Sequence, residues 1–359
     1  VPVTYPSPAI RRLFGITDDV IGGTSYENLT DGTVPDATVF WPVTGGSLDR
    51  GLTRIDKSNE VRGRRSIATP DPLMAGPTMT IPVPAYRSVW EKLMRKLLGA
   101  TDTVTGSADT GYTHSFTELG FGATQLPSMH CQLVRDDLNQ KMSGGFVNSL
   151  TASFPLDSEG TLSAEIQGLY YGPYATDMPT PTYTDVDQIL LLRDASAYID
   201  GSSTTIPDLQ GVDLTFNNNI TRKWYAGHNI VAQTLGASPL TRKLWFPSQY
   251  KLGAQLDITG TLTFGNVNSA QDVALDFAQV QKFAFNFVGG AISGSTGPQY
   301  EAVQVTINAV ELTADSAGPG DLQANGDITY AVNFGGYYSP YDDADVQFQS
   351  INGISTALI

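Results

Sequence analysis

Cysteine is almost missing from this chain: Cys131 stands alone among 359 residues. An intrachain disulfide and a CxxC metal pair are therefore both excluded. Histidine is nearly as scarce, with only His114, His130 and His228, and none falls in an HExxH or comparable ligand spacing. His130 and Cys131 are neighbours, so on a strand they point to opposite faces, the wrong geometry for a nucleophile and its base. No Walker A sequence occurs, and no GxGxxG follows a strand. The longest apolar runs fall well short of the ~20 residues of a membrane-spanning helix. The first residues lack the basic start and apolar block of a signal peptide. Asn28-Leu29-Thr30 and Asn219-Ile220-Thr221 then read as chance sequons, and a soluble protein made in a reducing compartment is expected.

Charge is sparse and one-sided. Charged residues make up 16% of the chain, below the usual ~25%, and the formal net charge is −15. Residues 1–180 carry 14 Lys/Arg against 19 Asp/Glu, and residues 181–359 carry 7 against 17. Such a chain is unsuited to gripping nucleic acid, because phosphate binding rests on clustered Lys and Arg. The same charge suits a surface past which DNA slides, and it equally serves solubility. Asp136-Asp137, Asp185-Val186-Asp187 and Asp342-Asp343-Ala344-Asp345 offer the oxygen ligands that calcium takes. None has the EF-hand spacing, so solvated acidic turns are the plainer reading. No catalytic, cofactor-binding or metal-binding residue is assigned.

What the chain does have is strands. Hydrophobic residues make up 41%, with 15 Phe and 16 Tyr, enough for a sizeable core, and the length suggests roughly two domains. Twice a run of alternating apolar residues leads into one amphipathic helix, and the chain then returns to strands. The first pass runs from 77–83 into a helix at 85–98; the second runs from 255–264 into a helix at 269–281. In the first helix Tyr86, Val89, Trp90, Leu93, Leu97 and Leu98 form one stripe, while Arg87, Lys92, Arg95 and Lys96 form a back predicted to face solvent. Pro84 suits its start and Gly99 its stop. Ser269 with Asp272 reads as the cap of the second helix, whose inner face is Val273, Phe277 and Val280.

Strands are predicted at 38–43, 113–117, 130–134, 146–154, 162–170, 189–192, 195–200, 212–216, 283–287, 303–307 and 328–334, the last three showing the period-two alternation of a strand with one buried face. Strands outnumber helices several-fold, which favours antiparallel sheets over βαβ units. Residues 1–37 are Pro- and Gly-rich and read as an extended arm. Residues 173–188 read as a Pro-rich linker between units at 38–172 and 189–340, and 341–359 reads as a C-terminal tail. Between Gly45 and Arg65 the chain is charge-dense, with Asp49, Arg50, Arg54, Asp56, Lys57, Glu60, Arg62, Arg64 and Arg65. A loop of that length reads either as a surface loop or as an arm ordered by a neighbouring subunit.

Several segments together resemble the tail tube (major tail) proteins of long, non-contractile-tailed bacteriophages. They are FGITDDVIGGTSYENL (14–29), SLDRGLTRIDKSNEVRGRR (47–65), SLTASFPLDSEGTLSAEIQGLYYG (149–172), GVDLTFNNN (211–219) and DITYAVNFGGYY (327–338). The resemblance implies a mainly β fold of packed antiparallel sheets with one flanking helix per unit. Here two tandem β-sandwich or half-barrel units would oligomerise into a continuous β-barrel ring. It also implies a stacking loop, matched by 45–68, that contacts the adjacent ring. The subunit would be a structural virion protein without enzymatic activity or cofactor, assembled in the host cytoplasm as a conduit for genome ejection. Its partners would be itself, the tape measure inside, terminators and tip at the ends, and DNA in transit, with no membrane insertion. A double-size chain favours a trimer with pseudo-sixfold symmetry; a hexamer carrying a decoration domain is the runner-up. Glu165 and Asp257 are the acidic residues picked as lumen-facing. The alternative function is a β-rich receptor- or carbohydrate-binding tail protein, for which Trp41, Trp90, Trp224 and Trp245 are the candidate platforms.

Overall fold

The computed structural model describes residues 12–18, 37–53, 73–99, 102–119, 126–135, 138–172, 189–199, 204–224, 230–234, 241–245, 247, 249–251, 255–266, 268–269, 273, 281–292, 300–313, 319–322 and 328–355. Antiparallel strands dominate these residues, with one long helix, Arg87–Leu98. Each predicted run overlaps a strand, except 189–192. Val39–Pro42 buries both Phe40 and Trp41, and Met129–Arg135 buries Cys131 through Val134, but most bury one face. In Thr78–Pro84, for instance, Met79, Ile81 and Val83 are buried while Thr80 is exposed. The stretch 189–192 instead makes an isolated bridge at Ile189 and leads into a short 3-10 turn, Leu192–Asp194.

The first half follows one path of neighbouring strands. Val39–Pro42 lies on Arg12–Asp18, which lies on Met129–Arg135, which lies on the N-terminal part of Leu138–Pro155. The C-terminal part of that long strand pairs with Thr161–Gln167, then come Thr78–Pro84 and Ser47–Asp49. Tyr170–Tyr171 adds to the long strand at Met142 and Ser143.

The second half repeats this path, antiparallel at every step. Thr204–Thr205 lies on Ala195–Ile199, then Gln281–Ala291 and Tyr300–Leu312. The end of Tyr300–Leu312 pairs with Ile328–Tyr337, then come Asp257–Phe264 and Leu209–Asn217. Val346–Asn352 takes the place on Tyr300–Leu312 that Tyr170–Tyr171 takes on Leu138–Pro155.

Among the described residues, two long antiparallel junctions unite the halves, beside a short parallel pairing of Thr241–Trp245 with Leu73–Met74 and a bridge between Tyr86 and Ile189. Leu209–Asn217 pairs with residues 149–155, and Val346–Asn352 pairs with Gly111–Thr117. The inward faces feed one core, at the centre of which sits Trp90 of the helix. Its ring lies 5.2 Å from Phe154, 5.6 Å from Phe287 and 5.8 Å from Phe348, centroid to centroid. First-half and second-half aromatics thus share one packing unit, and losing such a side chain typically costs ~3–5 kcal/mol. Close packing also explains Gly260: a Cβ there would stand 2.3 Å from the Phe334 ring.

Several predictions from sequence need correction. The helix starts at Arg87 rather than 85, with Tyr86 extended as its N-cap; Gly99, at φ 83°, ends it by donating to the Arg95 carbonyl. Its basic back is not a solvated face. Arg87 and Lys96 are buried, Arg87 bonding Glu91 (2.5 Å) and Glu301 (3.1 Å), and Lys96 donating to the Ser128 carbonyl (3.3 Å). Of the second helix, Asn268, Ser269 and Val273 are described as helical, the remainder of 269–281 lies outside the described residues, and Gln281 already begins a strand. Asn266 Oδ1 accepts the Asn268 amide at 3.0 Å, and the Ser269 hydroxyl donates to Asp208 at 2.7 Å.

Three segments read as irregular contain strands. Arg12–Asp18, in the predicted arm, buries Leu13, Phe14 and Ile16; Ser47–Asp49 lies in the predicted loop; Val346–Asn352 lies in the predicted tail. Residues 1–11 and 19–36 of the predicted arm, the linker 173–188 and most of 45–68 fall outside the described residues.

The turn before Val346 stores a pH dependence. Asp345 is buried, and Glu118 accepts the amides of both Asp345 (2.6 Å) and Val346 (3.3 Å). Burial, helped by the Glu118 charge, raises the Asp345 carboxyl from its usual 3.8 to about 6. Between those values the folded protein holds a proton that the unfolded chain has released. Stability therefore falls as pH rises through the window, and the loss is complete above it. Asp345→Asn should stabilise the protein by roughly 1–3 kcal/mol near neutral pH and by almost nothing below about pH 3.5. Urea unfolding at the two pH values checks this; an equal effect at both would refute the assignment.

Candidate functional site

The extended feature of this molecule is the outward face of the joined sheet. The alternation that buries Met79, Ile166, Leu150, Leu214, Ile258 and Phe334 turns the intervening residues the other way. Those outward positions are mostly hydroxyls and amides: Thr80, Ser163, Ser149, Thr151, Thr215, Thr259, Thr261 and Asn333 recur across the strands. Cross-strand bonds tie them together, Thr151 to Thr215 at 3.1 Å and Thr261 to Asn333 at 2.7 Å. The charged side chains among them are acids.

Glu165 and Asp257 both lie on this face, on Thr161–Gln167 and Asp257–Phe264, so the structure brings the two sequence-derived picks onto one surface. Glu165 accepts from Asn148 Nδ2 (2.9 Å) and Gln167 Nε2 (3.2 Å). Asp257 is exposed and accepts from Asn219 Nδ2 at 2.5 Å. Asp49 shares the face, because it stands opposite Thr78, and its Oδ1 accepts the Gly51 amide at 2.9 Å. Sequence reasoning passed over Asp213, which is exposed on the same face opposite Thr261 and Ser153. The signal was present in the alternation of Val212, Asp213 and Leu214.

Cations meet this face only at its margin, among the described residues. Arg222 reaches Thr78, donating to its Oγ1 (2.7 Å) and to the carbonyls of Gly76 (2.9 Å) and Pro77 (2.5 Å). Burial pushes its guanidinium below the usual value, although Tyr250, Glu165 and Asp49 act against that shift. Arg50 lies 5.1 Å from the centroid of the Tyr171 ring, a cation–π contact within the subunit. The remaining residues of the predicted stacking arm, Arg54, Asp56, Lys57, Glu60, Arg62, Arg64 and Arg65, fall outside the described residues.

Several polar groups elsewhere are engaged in structure. His114 and Asp102 are buried and 2.7 Å apart, and the other ring nitrogen of His114 lies 2.9 Å from the Ile354 carbonyl. Asp342 accepts from Lys282 (2.7 Å) and Ser339 (2.8 Å), and these bonds hold its carboxyl below the usual range. Asp343 accepts from the Tyr338 hydroxyl. Among the described residues no group of three His, Cys, Asp or Glu is placed to hold a metal ion. No helix among them is long and apolar enough to cross a membrane. Trp41 and Trp90 are buried, Trp41 donating to Ser88 Oγ at 3.2 Å, so neither offers a sugar-stacking platform. Trp224 is half-buried, and the side chain of Trp245 is not described.

The described part of this surface is rich in hydroxyls and acids. In a comparison with protein families, a family model described as phage tail tube protein matches residues 30–336. A search of the curated proteins finds no match. The chain belongs to the phage tail tube proteins, non-enzymatic structural components of the virion tail.

Proposed function

We propose that the chain is a tandem pair of tail-tube units and that three copies close a ring of pseudo-sixfold symmetry. Family membership implies self-assembly into a tube with other tail proteins; the ring number is our inference. The carrying observation is the strand path that recurs in the two halves and merges into one sheet. Ser47–Asp49, Thr78–Pro84, Thr161–Gln167 and Leu138–Pro155 are continued by Leu209–Asn217, Asp257–Phe264, Ile328–Tyr337 and Tyr300–Leu312. Three copies would supply ~24 strands, which at ~4.8 Å spacing span roughly 115 Å of arc. Closed, that arc is a barrel about 37 Å across between backbones before strand tilt widens it, well beyond what side chains fill. Stacking of such rings, front to back, gives an open-ended tube.

In this reading the outward face lines the bore. Glu165, Asp213 and Asp257 repel DNA, and the hydroxyls between them offer no cation for phosphate to grip. The tape measure occupies the bore before ejection, and terminators and tip close the ends. The charged arm, 45–68, contacts the adjacent ring.

Native mass spectrometry of the smallest stable ring should give three copies, and electron microscopy should show hollow tubes; a six-copy ring would refute the tandem arrangement. Changing Glu165, Asp213 and Asp257 together to Lys should leave tube length intact but slow genome ejection, most at low salt. Unchanged ejection kinetics would remove these residues from the bore. Deleting residues 54–65, which spares strand Ser47–Asp49, should leave rings that stack poorly. Tubes of normal length from that variant would exclude the arm from inter-ring contact.

A further inference from the structure

The chain uses one edge junction on itself, and the repetition of its halves marks where the same junction is left open. Within the chain, Leu209–Asn217 pairs antiparallel with residues 149–155 of Leu138–Pro155. Leu209–Asn217 is the end strand of the second path, and its counterpart at the end of the first path is Ser47–Asp49. The accepting strand also has a counterpart: Tyr300–Leu312 with its continuation Pro319–Leu322, both paired to Ile328–Tyr337. Among the described residues, Ser47–Asp49 pairs with Thr78–Pro84 alone, and Pro319–Leu322 with Ile328–Tyr337 alone. Each chain thus carries one donor edge and one acceptor edge of the kind that already fit each other inside it.

Burial at matching positions supports the assignment. At the internal junction the inward residues Leu150, Leu214 and Phe216 are all fully buried, at 0% exposure. At the open edges the corresponding inward residues are Leu48, opposite Met79, and Leu312, opposite Phe334. Both are only partly buried against the same core. Each edge therefore ends in an apolar rim that another strand would cover. An uncovered strand edge is also a template for unwanted pairing, which closure removes.

We propose that the edge Ser47–Asp49 of one copy pairs antiparallel with the edge Pro319–Leu322 of the next, repeating between chains the junction that 149–155 and Leu209–Asn217 make within one. This rests on the ring reading above and adds which edges close it. The contact is heterologous, donor to acceptor, so it propagates around a ring and leaves no edge over. Ser47–Asp49 then closes the ring laterally, while residues further along the arm remain for axial contact.

Hydrogen–deuterium exchange on the full chain, compared between dissociated subunits and isolated rings, tests this directly. Amides of 47–49 and 319–322 should exchange about tenfold or more slowly in the ring. In parallel, Ser47→Cys combined with Asp321→Cys should give, on oxidation, interchain disulfide-linked species up to the full ring, and neither single variant should. Leu48→Lys, which charges the edge without touching the core centre, should leave a folded subunit by circular dichroism that forms no rings. Rings whose 47–49 and 319–322 amides exchange as in free subunits would overturn the edge assignment while leaving the ring intact. A wild-type chain that forms no ring under any condition would overturn the underlying reading as well.

Discussion

Backbone pairing along strand Leu138–Pro155 is the constraint on which the rest of this structure depends. A buried strand must satisfy every amide and carbonyl, and this one does so with partners from both halves of the chain. Met129–Arg135 and Thr161–Gln167 come from its own half, while Leu209–Asn217 comes from the other. The halves are thereby locked into one sheet with one inward and one outward face. Slippage of that junction by one residue would exchange the two faces.

Burial follows from that alignment. Once the sheet is continuous, the helix Arg87–Leu98 packs beneath it with Trp90 touching aromatics of both halves. The buried polar groups are then placed around the same helix. Arg87 holds Glu91 and Glu301, and Glu91 in turn accepts from Ser350 of the closing strand. Removing one member of such a network leaves a buried charge without its partner, which costs far more than the pair contributes. The closing strand is thus fixed by polar bonds as well as by Phe348.

The outward face gains its character from what alternation leaves over. Hydroxyls, amides and a few carboxylates make a surface that hydrates well and, among the described residues, holds no cation cluster for a polyanion. Such a surface needs no pocket and no reactive residue. In the ring proposed above, the edges at either end of the joined sheet would be where copies meet.

Sequence by itself determined the elements whose signal is local. Period two in 78–84, 161–167 and 257–264 established those strands and turned Glu165 and Asp257 away from the core. The stripe around Trp90, with a glycine to stop it, established the helix. Tertiary structure alone decided what depends on distant partners. Arg12–Asp18 buries Leu13, Phe14 and Ile16 in succession, so no alternation announced it. In Val346–Asn352 the inward positions include Ser350 and Asn352, polar residues tolerated there because Glu91 and His114 face them. Arg87 and Lys96 read as a solvated back until Glu301 and the Ser128 carbonyl, remote in sequence, arrive to pair them. Alternation is written into neighbouring residues, whereas pairing, junction and burial of charge are settled only when chain segments hundreds of residues apart come into contact.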